Sequence, residues 1–135
     1  MSNEKNKKDI ASVEVDATEY NAAMKDAESS TADYTHQLAK PFTFEGETFE
    51  ELTFEFGKLT GADSLAIENE MAMLNKNVLV PEFSGEYLVR MAVRACTVKR
   101  ADGRRLGIDA FRALPIGDYI RIRGRARSFL LNAGL

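Results

Sequence analysis

Asp63, Glu68 and Glu70 stand close together in LTGADSLAIENEM, positions 59–71. Clustered carboxylates can hold a metal ion or share acid–base work, provided they converge on one point. Helical geometry argues against convergence. Thr60 suits an N-cap, and Asp63 follows at capping-box spacing, so a helix should run over about 61–75. At about 100° per residue, Glu68 and Glu70 lie roughly 200° apart. Ile67, Met71 and Leu74 then form an i, i+4, i+7 stripe. Asp63 falls in the first turn, where negative charge suits the helix N-terminus. The three acids are therefore expected to have ordinary helical duties, with no metal and no catalytic residue among them.

Other routes to chemistry are equally sparse. Nucleophilic catalysis needs a positioned imidazole. The single histidine, His36, lies in a polar stretch and is expected to be solvated. The single cysteine, Cys96, excludes an internal disulfide and a multi-cysteine zinc site. It sits near the edge of an apolar helix face and reads as a buried structural thiol. No H-E-x-x-H, no C-x-x-C and no glycine-rich phosphate loop occurs, so no cofactor is expected. The loudest feature is RIRGRAR, residues 121–127. Four arginines can pair with nucleic-acid phosphates. On a helix, however, Arg121 and Arg125 share one row, and Arg123 and Arg127 another roughly 160° away. The simpler expectation is a snorkelling, solvated helix face that pairs with the acidic middle segment, residues 41–83, and no nucleic-acid partner.

These residues need elements to position them. The chain has 135 residues, 44% of them hydrophobic, enough for one small domain with a tail. Its apolar runs are too short for a membrane span, and MSNEKNKKDIASVEV has no signal-peptide core. Residues 1–40 are polar and acidic and are expected to be a disordered tail, with a transient helix over 19–28. The domain is expected over 41–135. FTF (42–44) and TFEELTFEF (48–56) alternate apolar and polar residues around Glu45-Gly46-Glu47, which predicts a β-hairpin over about 41–56. The break in step between Phe49 and Leu52 predicts a bulge. Ser84 should cap a strongly amphipathic helix over about 85–99, with Leu88, Met91, Ala92, Ala95 and Val98 on its apolar face and Arg90, Arg94 and Thr97 opposite. Asp109 should cap a short helix over about 110–114. Pro115 interrupts before a last helix over about 117–132, and Gly134 marks its end. The fold class is α+β: a mainly helical small domain with an N-terminal hairpin.

Net charge is only −3. Residues 41–83 nevertheless sum to −7 and residues 84–135 to +7. Internal or subunit complementarity is the simpler reading of this split, and a basic surface kept for a partner is the sharper one.

The order of these features carries a resemblance. FEGETFEEL (44–52), LTGADSLAIENEM (59–71), EYLVRMAVRA (86–95), LPIGDY (114–119) and the ending ARSFLL (126–131) follow one another as in the tail assembly chaperone family of long-tailed phages and prophages. The match spans roughly 41–131. The acidic stretch before it and the ADGRRLG loop are longer than the family pattern requires. The resemblance implies a non-enzymatic protein of the bacterial host cytoplasm, absent from the mature virion. Such a protein binds the tape measure protein, keeps that long helical partner soluble and helps recruit tail tube subunits, and it can form homo-oligomers. The partner surface expected here combines hairpin aromatics with apolar helix faces: Phe49, Phe54, Ile67, Met71, Leu88 and Met91. A small nucleic-acid-binding regulator using Arg121, Arg123, Arg125 and Arg127 is the alternative, followed by a structural tail component.

Overall fold

The structure, a computed structural model, describes residues 32–133. The helix expected over 19–28, most of the expected tail and Gly134 lie outside the described residues. Strands β1 (Asp33–Phe44) and β2 (Glu47–Glu55) form an antiparallel hairpin. A 3-10 turn at Phe56–Lys58 leads to helix α1 (Gly61–Met73), and a second at Pro81–Phe83 leads to α2 (Gly85–Ala95). Two further helices follow, α3 (Ile108–Arg112) and α4 (Ile116–Ala133). This is the expected α+β arrangement, a hairpin followed by helices.

The hairpin turn is tight because two successive residues take positive φ, Glu45 at 49° and Gly46 at 83°. That pair defines the two-residue turn whose twist matches paired strands, and glycine adopts its half without a steric cost. Glu45 has no such freedom, and its carboxylate is held by Arg100 at 2.6 Å. β1 starts at Asp33 and not near 41, so residues 33–40 belong to the folded domain. Tyr34, His36 and Leu38 face inward there while Asp33, Thr35 and Gln37 face solvent. The expected irregularity exists. Gln37 pairs with Glu51 and Phe42 with Phe49, so residues 38–41 of β1 oppose Glu50 alone. Beyond it the inward set is Phe42 and Phe44 on β1, with Leu52, Phe54 and Phe56 continuing along β2 and its following turn.

The helices begin and end on recognisable signals. At the start of α1 the Thr60 backbone N–H donates to Asp63 Oδ2 at 2.8 Å, the carboxylate arm of the expected capping box. At its end Asn75 takes φ 58°, the Asn75 N–H donates to the Ala72 carbonyl and the Lys76 N–H to the Met71 carbonyl. This left-handed stop closes the last turn. Ser84 caps α2 as expected, its Oγ accepting from the Tyr87 N–H at 3.1 Å. α2 ends at Ala95 instead of near 99. The chain turns extended there because the Thr97 N–H donates to the Thr53 carbonyl of β2 at 2.8 Å. Asp109 lies in the first turn of α3, with Gly107 in the cap position.

α2 is the centre of the core. Leu88, Met91, Ala92 and Ala95 are buried, and α1, α3, α4 and the hairpin all pack on this helix. Aromatic rings tie the hairpin to the helices: Phe54 stacks on Phe56 at 5.7 Å, Phe56 on Phe129 at 5.7 Å, and Phe111 meets Phe54 edge-on at 6.0 Å. Such pairs add to the burial of large apolar surface.

Candidate functional site

The opening carboxylates part company in the fold. Glu68 is exposed. Asp63 and Glu70, two helical turns apart on one face, both reach Arg94 of α2, at 2.8 and 3.6 Å. Two of the three acids therefore do converge, contrary to expectation, but on a guanidinium. Arg90 completes the network with Glu70 at 3.0 Å and Glu86 at 2.8 Å. Thr60 and Arg94 hold the Asp63 carboxyl below its ordinary range, and Lys76 and Arg90 do the same for Glu86 despite partial burial. The spacing that foretells this is i, i+7 for the acids and i, i+4 for the arginines. Arg100 joins the same pattern, binding Glu45 and Glu47 of the hairpin. The acidic middle of the chain and its basic remainder thus pair internally.

His36 is buried, not solvated, with 2% of its surface exposed. Its Nε2 meets Asp118 Oδ1 at 2.8 Å and its Nδ1 meets the Tyr34 hydroxyl at 2.7 Å. Asp118 also accepts from the Ala39 backbone N–H and from Arg121 Nη2, both at 3.2 Å. The β1 irregularity explains the Ala39 contact: a residue released from the ladder turns its N–H to α4. Burial pushes the Asp118 carboxyl up, but His36, Ala39 and Arg121 outweigh it and hold the group below the ordinary carboxylate range. Burial raises the Tyr34 phenol, partly offset by Arg125 and Arg121. A tyrosine, histidine and aspartate in series have the composition of a proton relay. Here His36 and Asp118 are sealed from any substrate, and the chain of bonds fastens β1 to α4. The expectation of a solvated His36 failed because its inward place on a strand was hidden among polar neighbours.

The arginines of RIRGRAR are likewise engaged within the domain. Arg121 bonds Asp118, Arg123 lies over the Tyr119 ring at 5.5 Å, Arg125 over the Tyr34 ring at 4.5 Å, and Arg127 donates to the Glu82 carbonyl at 2.9 Å. None of the four pairs with a carboxylate of the acidic segment 41–83, so that expectation is corrected: Arg90, Arg94 and Arg100 do that pairing instead. Cys96 is buried as expected, and burial pushes its thiol up to about 11. Such a thiol carries no thiolate near neutral pH.

The six residues expected to form a partner surface do not form one together. Phe54, Met71 and Leu88 are buried against the hairpin and helices, and Phe49 is half-buried on the hairpin. The apolar faces of the hairpin and helices largely cover one another. Ile67 and Met91 differ in one respect. Though nearly covered, they floor a cleft of about 260 Å³ between the start of α1, α2 and the end of α4. Leu59, Tyr87, Phe129 and Leu130 supply its walls. A space of that size accepts one or two large apolar side chains. Phe129 and Leu130 pack partly against the core, and the convergence of separate helices on one cleft carries no local sequence signal.

Among the described residues no three histidine, cysteine, aspartate or glutamate side chains gather into a set able to hold a metal ion. No described helix is long and apolar enough to cross a membrane. No family model, curated protein or solved structure matches this chain.

Proposed function

We propose that this chain is a tail assembly chaperone of a long-tailed phage or prophage. In this reading it binds the tape measure protein in the host cytoplasm, keeps it soluble and helps recruit tail tube subunits. It performs no catalysis and leaves before the virion is complete. The observation that carries the proposal is the apolar cleft over Ile67 and Met91, walled by Phe129 and Leu130. An apolar side chain projecting from a partner helix fits a cleft of this size, and the rest of that helix can lie along the domain. The ordered phrases from 44 to 131 support the identity of the partner. Two of their acids, Asp63 and Asp118, have identifiable folding duties at the start of α1 and at the junction of β1 with α4.

The test is co-expression with the long helical protein encoded nearby, followed by size-exclusion chromatography. Co-elution with the partner kept soluble is the expected outcome. Filling the cleft with Ala133→Trp should weaken co-elution without unfolding the domain, since Ala133 is exposed at the rim. A partner that aggregates while this chain elutes alone would overturn the proposal. Mass spectrometry of purified virions separates a chaperone from a retained tail component.

A further inference from the structure

The outward face of α4 carries exposed apolar residues bordered by arginines, two of which, Arg123 and Arg127, meet no carboxylate among the described residues. Ile116, Ile120 and Leu131 are 75%, 49% and 46% exposed. At about 100° per residue the three fall within roughly 60° of one another along about four turns. Gly124 lies between them, with open space where a side chain would stand. A lone exposed apolar residue is ordinary, but a row in register is the pattern of a helix-packing seam. The opposite side of α4 is committed to the core through Ile122 and Ala126. The seam therefore has no partner within the described domain.

Charge narrows what can cover it. Arg127 falls within the row, between Ile116 and Ile120 in angle, Arg123 lies at one edge, and Arg121 stands on the other side. Among the described residues only Arg121 of these three has a carboxylate partner, Asp118. Arg123 rests on an aromatic ring and Arg127 on a carbonyl. These neutral partners fix the guanidinium groups in place and, among the described residues, leave their charge uncompensated. A second copy of α4 laid on this face would set arginine against arginine, a like-charge cost. A nucleic-acid backbone would match the charge but would leave Ile116, Ile120 and Leu131 against phosphates.

The geometry points to an amphipathic helix of another protein, its apolar row flanked by Asp and Glu, docking on the outer face of α4. The inference rests on the helix-binding reading above, though not on which protein supplies the helix. The apolar rows interdigitate across Gly124, where the backbones approach most closely. Carboxylates of the partner meet Arg127 within the row, Arg123 at one edge and Arg121 on the other.

The probe is a fluorescein-labelled three-heptad peptide with leucine at the a and d positions and glutamate at e and g. Its twin carries lysine at e and g. Each is titrated with the full chain and followed by fluorescence anisotropy. The glutamate peptide should bind at least about tenfold more tightly than the lysine peptide, and its affinity should fall as salt is raised. Ile120→Asp should weaken binding by about tenfold or more, as expected of a buried anchor. Ile116→Asp repeats the test at a more exposed position in case Ile120→Asp lowers the melting temperature. Leu65→Asp, on the exposed side of α1, should leave binding unchanged. Equal affinity for both peptides, no binding of the glutamate peptide, or full affinity in both isoleucine variants would overturn the inference. The two readings fail separately. If both isoleucine variants still co-elute with the soluble tape measure protein, the chaperone reading stands and this seam does not. If wild-type chain binds the glutamate peptide but not the tape measure protein, the seam stands and the identity of the partner falls.

Discussion

Asp118 collects donors from His36, Ala39 and Arg121 at a site with 1% exposure. Removing the carboxylate would leave the buried His36 Nε2 without an acceptor and release the Ala39 N–H. Asp118→Ala is therefore expected to cost about 3 kcal/mol of folding free energy, the scale for breaking a buried polar pair. Urea denaturation of the variant against wild type measures it. A loss below about 1 kcal/mol would mean that water or a neighbouring acceptor replaces the carboxylate. Asp118→Asn should cost less, because the amide oxygen still accepts while the charge is gone. The site was only half legible. LPIGD marks Asp118 as the first-turn acid after a proline, a position that suits a helix N-terminus. Nothing near it in sequence points to His36, 82 positions away. The imidazole reads as polar in a polar stretch, and only the strand's alternation of Tyr34, His36 and Leu38 hints that it faces inward.

Elements with local signals were the readable ones. The hairpin turn, the Thr60–Asp63 helix start and the Ser84 cap each need only adjacent residues, because the backbone groups they satisfy are adjacent too. Ends set by distant partners were misread. α2 stops at Ala95 because Thr53 of β2 offers Thr97 a ladder bond, and β1 starts early because Leu52 and Phe54 of β2 give it a strand to pair with. Phe54, Met71 and Leu88 turn inward for the same reason: an apolar helix or strand face does not reveal whether it meets a partner or another part of its own chain. The hairpin turn supplies a direct test at this scale. Gly46 has φ 83° and nothing within 4 Å of where a Cβ would stand. Gly46→Ala therefore adds backbone strain without a clash, and about 1 kcal/mol of destabilisation is expected. A denaturation midpoint equal to wild type would show that the turn relaxes to another geometry. Gly124→Ala in α4 is the contrast, since a helical alanine with open space should stabilise by up to about 1 kcal/mol.

At the scale of the whole molecule, the split between an acidic middle and a basic remainder becomes a set of ties between successive elements. Arg90 and Arg94 join α1 to α2, and Arg100 joins the hairpin to the loop after α2. The carboxylates of these pairs keep part of their surface in solvent, so each pair contributes modestly. Their collective effect appears on acidification. Asp63, Glu86 and Asp118 are each held below their ordinary range in the folded chain, by Thr60 and Arg94, by Lys76 and Arg90, and by His36, Ala39 and Arg121. A depressed folded-state value means that the unfolded chain takes up protons first as pH falls. The stabilisation is therefore complete above the ordinary carboxylate range, near pH 4, and drains away as pH drops below it. The urea midpoint should hold steady from about pH 7 to pH 5 and fall steeply below about pH 4. Asp118→Asn should lower the plateau and flatten that fall, because it removes the buried member of the set. A midpoint that stays level down to about pH 3 would mean that these pairs persist in the unfolded chain or contribute nothing to the fold. A fall already complete by pH 5 would point instead to a group that titrates higher.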